Sequence, residues 1–204
     1  MKKYFLLAAL MLGFVAADAR DYKHSIGVNA GNLFGLTYKE YVRQNEHFVF
    51  QLDANVQLGF APQSRLFVFD EKGKSVVDGS VDPFHFQAIV VNPNLMFQGR
   101  VGDWSWASMH LFIGGGVDLG VSWKTPTWSL AGWNFRGDTQ YWGKINEHLI
   151  TGFEFDFKGA PINLGLDFRP GIGELVYVHD KGNMEALVFF DWGAAVSVRF
   201  RMGK

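Results

Sequence analysis

The 204-residue chain carries 19 basic and 20 acidic side chains, a formal net charge of −1 that lacks the basic excess of a nucleic-acid binder. It has no cysteine, so neither a disulfide framework nor an acylated N-terminal cysteine is available to it. Its 24 glycines argue against a helical bundle, because glycine weakens helices, and leave strands as the main element.

The chain opens MKKYFLLAALMLGFVAADARD. Lys2 and Lys3 precede an apolar run from Tyr4 to Ala17, and Ala17-Asp18-Ala19 has the small-x-small form of a cleavage site. The run is too short for a spanning helix and suits a signal peptide. Residues 1–19 are therefore expected to be an export signal, and 20–204 a single domain. Residues 22–43 keep one apolar phase through Ile26, Val28, Ala30, Phe34, Leu36 and Tyr38. They read as one long strand or as a hairpin turning near 32–35. The hairpin is preferred because it raises the strand count from seven to eight, and single-chain bacterial barrels have even counts.

In 48–60, FVFQLDANVQLGF, every even position is apolar, while Gln51, Asp53, Asn55, Gln57 and Gly59 lie between. A period of two marks a strand with unlike faces. RLFVFDEKGKSVV, within the 61–83 connector, has apolar runs on either side of Lys72-Gly73 and reads as a hairpin. In 84–99 the apolar phase is even for Phe84, Phe86, Ala88 and Val90, then odd for Leu95 and Phe97. A bulge is expected at Asn92-Pro93-Asn94, where proline cannot donate to a ladder. Alternation returns in 104–123, with Phe112 out of phase, in 148–158, in 161–170 and in 188–201. Short links at 44–47, 100–103 and 158–161 alternate with long ones near 61–83, 123–145 and 170–185, as short periplasmic turns alternate with longer external loops in membrane barrels.

Which face meets water follows from glycine, charge and bulk. Gly59, Gly114, Gly116, Gly120, Gly152, Gly165 and Gly193 share the polar faces, where they make room inside a narrow barrel. Asp53, Asp118, Glu154, Asp156, Asp167 and Asp191 share those faces with Arg169, Arg199 and Arg201. Mid-strand charge of both signs suits an interior of paired ions. We take Asp53, Asp118, Glu154, Asp167, Arg169, Asp191 and Arg199 as its network. The Phe, Leu, Val and Trp side chains of the other faces are too bulky for one small interior and are expected to face lipid. Trp104, Trp106, Trp123, Trp192 and Phe200 are placed near strand ends as interface girdles. The expected fold is all-β, a single antiparallel up-and-down transmembrane barrel of about eight strands. A two-sheet soluble sandwich is the alternative.

On "SIGVNAGNLFGLTYKEYV", "PINLGLDFRPGIG" and "DWGAAVSVRFRM", the chain resembles the small outer-membrane β-barrel proteins of Bacteroidota and other Gram-negative bacteria. The resemblance covers roughly 20–202 and implies a bacterial outer-membrane location with outer-membrane lipid as surroundings. Some such barrels are lipid A deacylases or acyltransferases.

An eight-stranded barrel is filled by side chains, so a general porin is not expected. Ser108 and His110 share a face two residues apart, but a lone Ser-x-His is a common accident. His148 and Glu154 are too far apart along one strand to pair. No metal-ligand spacing, phosphate loop or nucleotide fingerprint occurs, and no cofactor is expected. The 123–145 connector holds Trp128, Trp133, Trp142 and Arg136, candidates for contact with a surface glycan or a protein partner. The reading is a monomeric, non-enzymatic barrel with a structural or surface-interaction role. A lipid-modifying enzyme, or a narrow conduit for small apolar solutes, is the alternative.

Overall fold

A computed structural model describes residues 22–42, 47–123, 128–130, 133–135, 141–179 and 182–203. Within them lie β1 (His24–Gly31), β2 (Leu33–Tyr41), β3 (Phe48–Ala61), β4 (Ser64–Phe69), β5 (Ser75–Val81) and β6 (Phe84–Asp103). β7 (Ala107–Ser122), β8 (Trp128–Leu130), β9 (Trp133–Phe135), β10 (Trp142–Phe157), β11 (Ile162–Val178) and β12 (Met184–Met202) follow. The proposed export signal lies outside the described residues.

Among the described residues, eight strands pair antiparallel in the order β1-β2-β3-β6-β7-β10-β11-β12, and β12 pairs back onto β1. The ring is closed. Its stagger can be read from the partners. Val28 leads through Leu36, Ala54, Val91, Leu119, Ile145 and Glu174 to Val188. Val28 itself pairs Val198, so the circuit closes with an offset of ten residues along β12. A closed sheet needs such an offset, and with it the strands tilt by roughly 35–45°.

The period-two pattern decides what each strand turns outward. On β3, Gln51, Asp53, Asn55 and Gln57 are buried in the bore, while Phe48, Leu58 and Phe60 are exposed outside. Every strand of the ring does the same: Val28, Phe34, Leu95, Ile113, Leu149, Ile172 and Phe200 continue the apolar exterior around the cylinder. At the end that carries residues 24 and 202, the links are short, at 104–106 and 158–161. At the other end β4 and β5 form the expected hairpin. Asp70 closes its turn by accepting hydrogen bonds from the backbone N–H of Lys72 (2.9 Å) and Lys74 (2.8 Å). Gly73 there adopts φ 74°, a conformation glycine reaches without strain.

Several expectations are corrected. The hairpin at 22–43 exists, with its turn at Gly31-Asn32, and gives the eighth strand. No bulge forms at Asn92-Pro93-Asn94, because β3 pairs straight through them in one register. The β6–β7 ladder skips Asn92 and Pro93, then resumes in the same register. Proline removes a donor here without shifting the strand. The irregularity lies instead between Arg100 and Gly102, and residues 100–103 belong to β6. Most of 170–185 is also strand rather than loop, leaving a short link between Val178 and Met184. Trp192 lies inside β12 rather than near its end. Above the point where β1 stops, β12 pairs β4 from Phe189 to Met184.

Candidate functional site

The bore is filled in three sections. Near the terminal end Tyr22, Tyr41, Val49, Met96, Phe112 and Ile150 pack together. Tyr22 donates to Asp156 at 2.7 Å, and Asp156 also faces His110 at 3.5 Å. Phe112, out of phase in the sequence, fits because Gly152 beside it has no side chain; a Cβ there would strike its ring.

The middle section is ionic and contains the whole charge network taken from the sequence, while Asp156 lies in the terminal section and Arg201 donates to Phe157 O and Ala160 O at that end. Glu154 of β10 accepts from Lys39 Nζ (2.8 Å), Tyr41 Oη (2.9 Å), Gln98 Nε2 (3.2 Å) and Arg199 Nη1 (2.9 Å). One carboxylate thereby joins β2, β6, β10 and β12 across the bore. Arg169 donates to Asp167 (2.8 Å) and to Asp53 across the bore on β3 (2.6 Å). Asp118 accepts from Asn92 and from Asn146 (2.7 Å), and lies 3.1 Å from His148 Nδ1. Lys144 links this group onward: its Nζ is 3.6 Å from Asp118 and 2.6 Å from Asp191. Asp191 also accepts from Gln57 at 3.0 Å.

Six buried carboxylates thus share the described interior with two lysines, two arginines and two histidines. Such pairing is what makes burial of charge tolerable. Space for it comes from glycine. Gly165 lies under the Arg199 guanidinium, where a Cβ would collide with the Ser197 hydroxyl and crowd the guanidinium.

The third section is an apolar plug at the long-loop end. Ala61, Leu66, Val81, Phe84, Phe86, Ala88, Val90, Trp142, Leu175, Leu187 and Phe189 form it. Phe86 and Phe189 meet edge-on with ring centroids 5.2 Å apart. The even phase of 84–90 therefore points inward, opposite to the lipid-facing assignment. Trp142 is corrected too. It opens β10 and is fully buried in the plug, not presented by a loop.

Trp128 and Trp133 fall in β8 and β9, whose register sets Trp128 opposite Phe135 and Leu130 opposite Trp133. Arg136 lies outside the described residues. Ser108 donates to Asp103 at 2.6 Å, and His110 is turned to Asp156. His148 and Glu154 take separate partners, as their spacing predicts. Lys39 and Lys144 escaped the sequence reading, although LTYKEY and WGKINE place each in phase with the inward residues of its strand. That phase was the available signal.

Two hollows mark the outer wall. One, of about 580 Å³, is lined by Val117, Leu149, Ile172 and Phe190 together with Glu147. The other, of about 310 Å³, lies beside Asn32, Leu58 and Trp192.

No protein-family model and no curated protein matches the chain. Among solved structures, it is similar to the crystal structure of Neisserial surface protein A (NspA), over 88% of this chain and 93% of that one, with 13% identity and a TM-score of 0.38. The eight-stranded ring is established by the chain's own strand pairings.

Proposed function

We propose that the chain is a β-barrel of the bacterial outer membrane, closed to general solute flow, whose wall holds surface elements in place for contact with partners. The observation that carries this reading is the two-sided wall. Large apolar side chains face outward on all eight strands, and the paired charges are buried within. In water such an exterior would be an aggregation hazard; in hydrocarbon it is the solvated face. Closure of the ring also matters, since an open sheet edge cannot be satisfied in lipid. Trp104 and Trp106, stacked 6.2 Å apart at the short-link end, suit the aromatic boundary of such a band. The resemblance to small Gram-negative outer-membrane barrels, and export by residues 1–19, belong to the same proposal.

Three filled sections in series support a structural or surface-interaction role for a monomer rather than a channel. The contact elements are the β4–β5 hairpin and the 123–141 connector with Trp128, Trp133 and Arg136, and a surface glycan or a protein is the partner class. We read the barrel as non-catalytic, because Ser108 donates its hydroxyl hydrogen to Asp103 rather than to a histidine. Protein extracted from outer membranes should migrate faster unboiled than boiled and show no conductance in planar bilayers. Recovery in the soluble periplasmic fraction would reject the membrane assignment, and steady single-channel conductance would reject the closed bore.

A further inference from the structure

β4 and β5 are the upper part of the hairpin that β3 and β6 begin. Ala61 pairs Phe84 at the top of the lower ladder, and Ser64 pairs Val81 at the foot of the upper one. The two ladders share one register, in which Pro62 stands opposite Pro83. Neither proline has an N–H to give, so no backbone hydrogen bond joins them across the ribbon. Both prolines are exposed, as are Gln63 and Asp82 beside them.

The ribbon changes partner at this break. Below it, β3 lies beside β2 as far as Gln57. Above it, β4 lies beside β12, from Ser64 with Phe189 to Phe69 with Met184. The change is possible because β1 and β2 turn at Gly31-Asn32 and leave their place in the ring vacant above. Asn32 caps the edge of β12 there, donating to Trp192 O (3.1 Å) and accepting from Ala194 N (2.6 Å). The upper ribbon leans across the gap onto β12.

Its underside is apolar. Leu66 and Val81 belong to the plug, and Val68 packs against it. The wall strands supply the rest, including Phe84, Phe86, Trp142, Leu187 and Phe189. Arg65 and Asp78, 3.6 Å apart on the outside, pair within the ribbon and not across to the wall. Beyond β5 the ten-stranded sheet ends, and β8 of the connector approaches that side.

We propose that the β4–β5 ribbon is a hinged lid on the long-loop mouth of the barrel, closed in this structure. It turns as a unit about Pro62 and Pro83, releases the β4–β12 ladder and lifts Leu66 and Val81 off the plug. A two-stranded ribbon bends most readily where its cross-strand hydrogen bonds are missing, and local openings of this kind cost less than unfolding the whole domain. The ionic section below keeps its partners, so the lid governs access to the mouth and not passage through the bore. The inference rests on the register of the ring and not on the membrane reading, which stands if the lid fails.

Amide hydrogen exchange, read residue by residue on full-length protein in detergent micelles, tests this once heat-modifiable mobility has shown the barrel folded. Alternate amides of β4 point to β12 and to β5, so one strand reports both ladders. The β12-facing amides of 64–69 should exchange at least about a hundredfold faster than the amides of β3, while the β5-facing set stays protected. Arg65 and Val188 are directly opposed and face outward. A disulfide between Arg65→Cys and Val188→Cys should slow the fast set to the rate of β3, and its reduction should restore fast exchange. Phe67→Cys with Ala186→Cys is the second pair for the same lock. If both sets of β4 amides exchange fast together, the ribbon unravels instead of swinging, and the lid is overturned. Exchange of the β12-facing set as slow as that of β3, or fast exchange that persists under the disulfide, would equally overturn it.

Discussion

The inward face of β6 passes from one kind of interior to another. Phe86 and Ala88 pack in the apolar plug; a few residues on, Asn92 and Asn94 hydrogen-bond to Asp118 and toward His148. The plug is held by filled volume, so it tolerates a change of shape that keeps bulk. The ionic section is held by named partners, so removing one strands the others in low dielectric. One strand and one face thus carry two different rules for what a substitution costs.

The strongest way to break this comparison is at Glu154. Glu154→Ala leaves Lys39 and Arg199 buried with four donors deprived of their acceptor, and should cost about 3–5 kcal/mol in urea unfolding from vesicles. Leu187→Ala in the plug should cost about 3 kcal/mol by the same assay, through the cavity it leaves. Conservative replacements then sharpen the contrast. Leu187→Met should cost less than about 1.5 kcal/mol, whereas Glu154→Gln, nearly the same shape, should retain most of the Glu154→Ala loss. Equal penalties for the two would mean that the ionic section is held by volume as well. Asn32→Ala should cost about 1–2 kcal/mol, from two hydrogen bonds to β12. The smallest effect is expected outside, and with the opposite sign. Glu147, exposed on the outer face among Val117, Leu149 and Ile172, would be a carboxylate facing hydrocarbon in the proposed membrane setting, and Glu147→Leu should stabilise the barrel there by about 1 kcal/mol.

Where chemistry changed abruptly across a strand, the fold was legible in the sequence. β3, residues 162–169 of β11 and the lower half of β12 alternate charge or amide with large apolar groups, and both their faces came out as read. The glycines were legible for the same reason. Polarity misled at 84–90, because the plug end reverses the usual contrast: Phe84 and Phe86 fill the bore while His85 and Gln87 sit on the outer rim. An apolar-inward segment above a membrane band alternates just as an apolar-outward segment within it does, with the phase inverted. Pro170 and Gly171 looked like the start of a loop, yet they lie within β11, where the ladder to β10 skips the proline and resumes in register. In the ionic section the acids and arginines were visible from phase alone. Lys39 and Lys144 share that inward phase but were passed over, since neither has a charged inward neighbour close by on its own strand. Their partners lie 115 and 47 residues away in sequence, separations that only closure of the ring brings within bonding distance.

The central claim is the direction in which β3 turns its two faces, and the absence of native cysteine makes a direct test clean. Single cysteines placed in turn at 51–58 would carry nitroxide spin labels on protein refolded into lipid vesicles. The account predicts oxygen accessibility, the signature of hydrocarbon, that peaks at positions 52, 54, 56 and 58 and falls at 51, 53, 55 and 57. The opposite phase, or labels at the even positions collided with chiefly by a water-soluble nickel reagent, would contradict it.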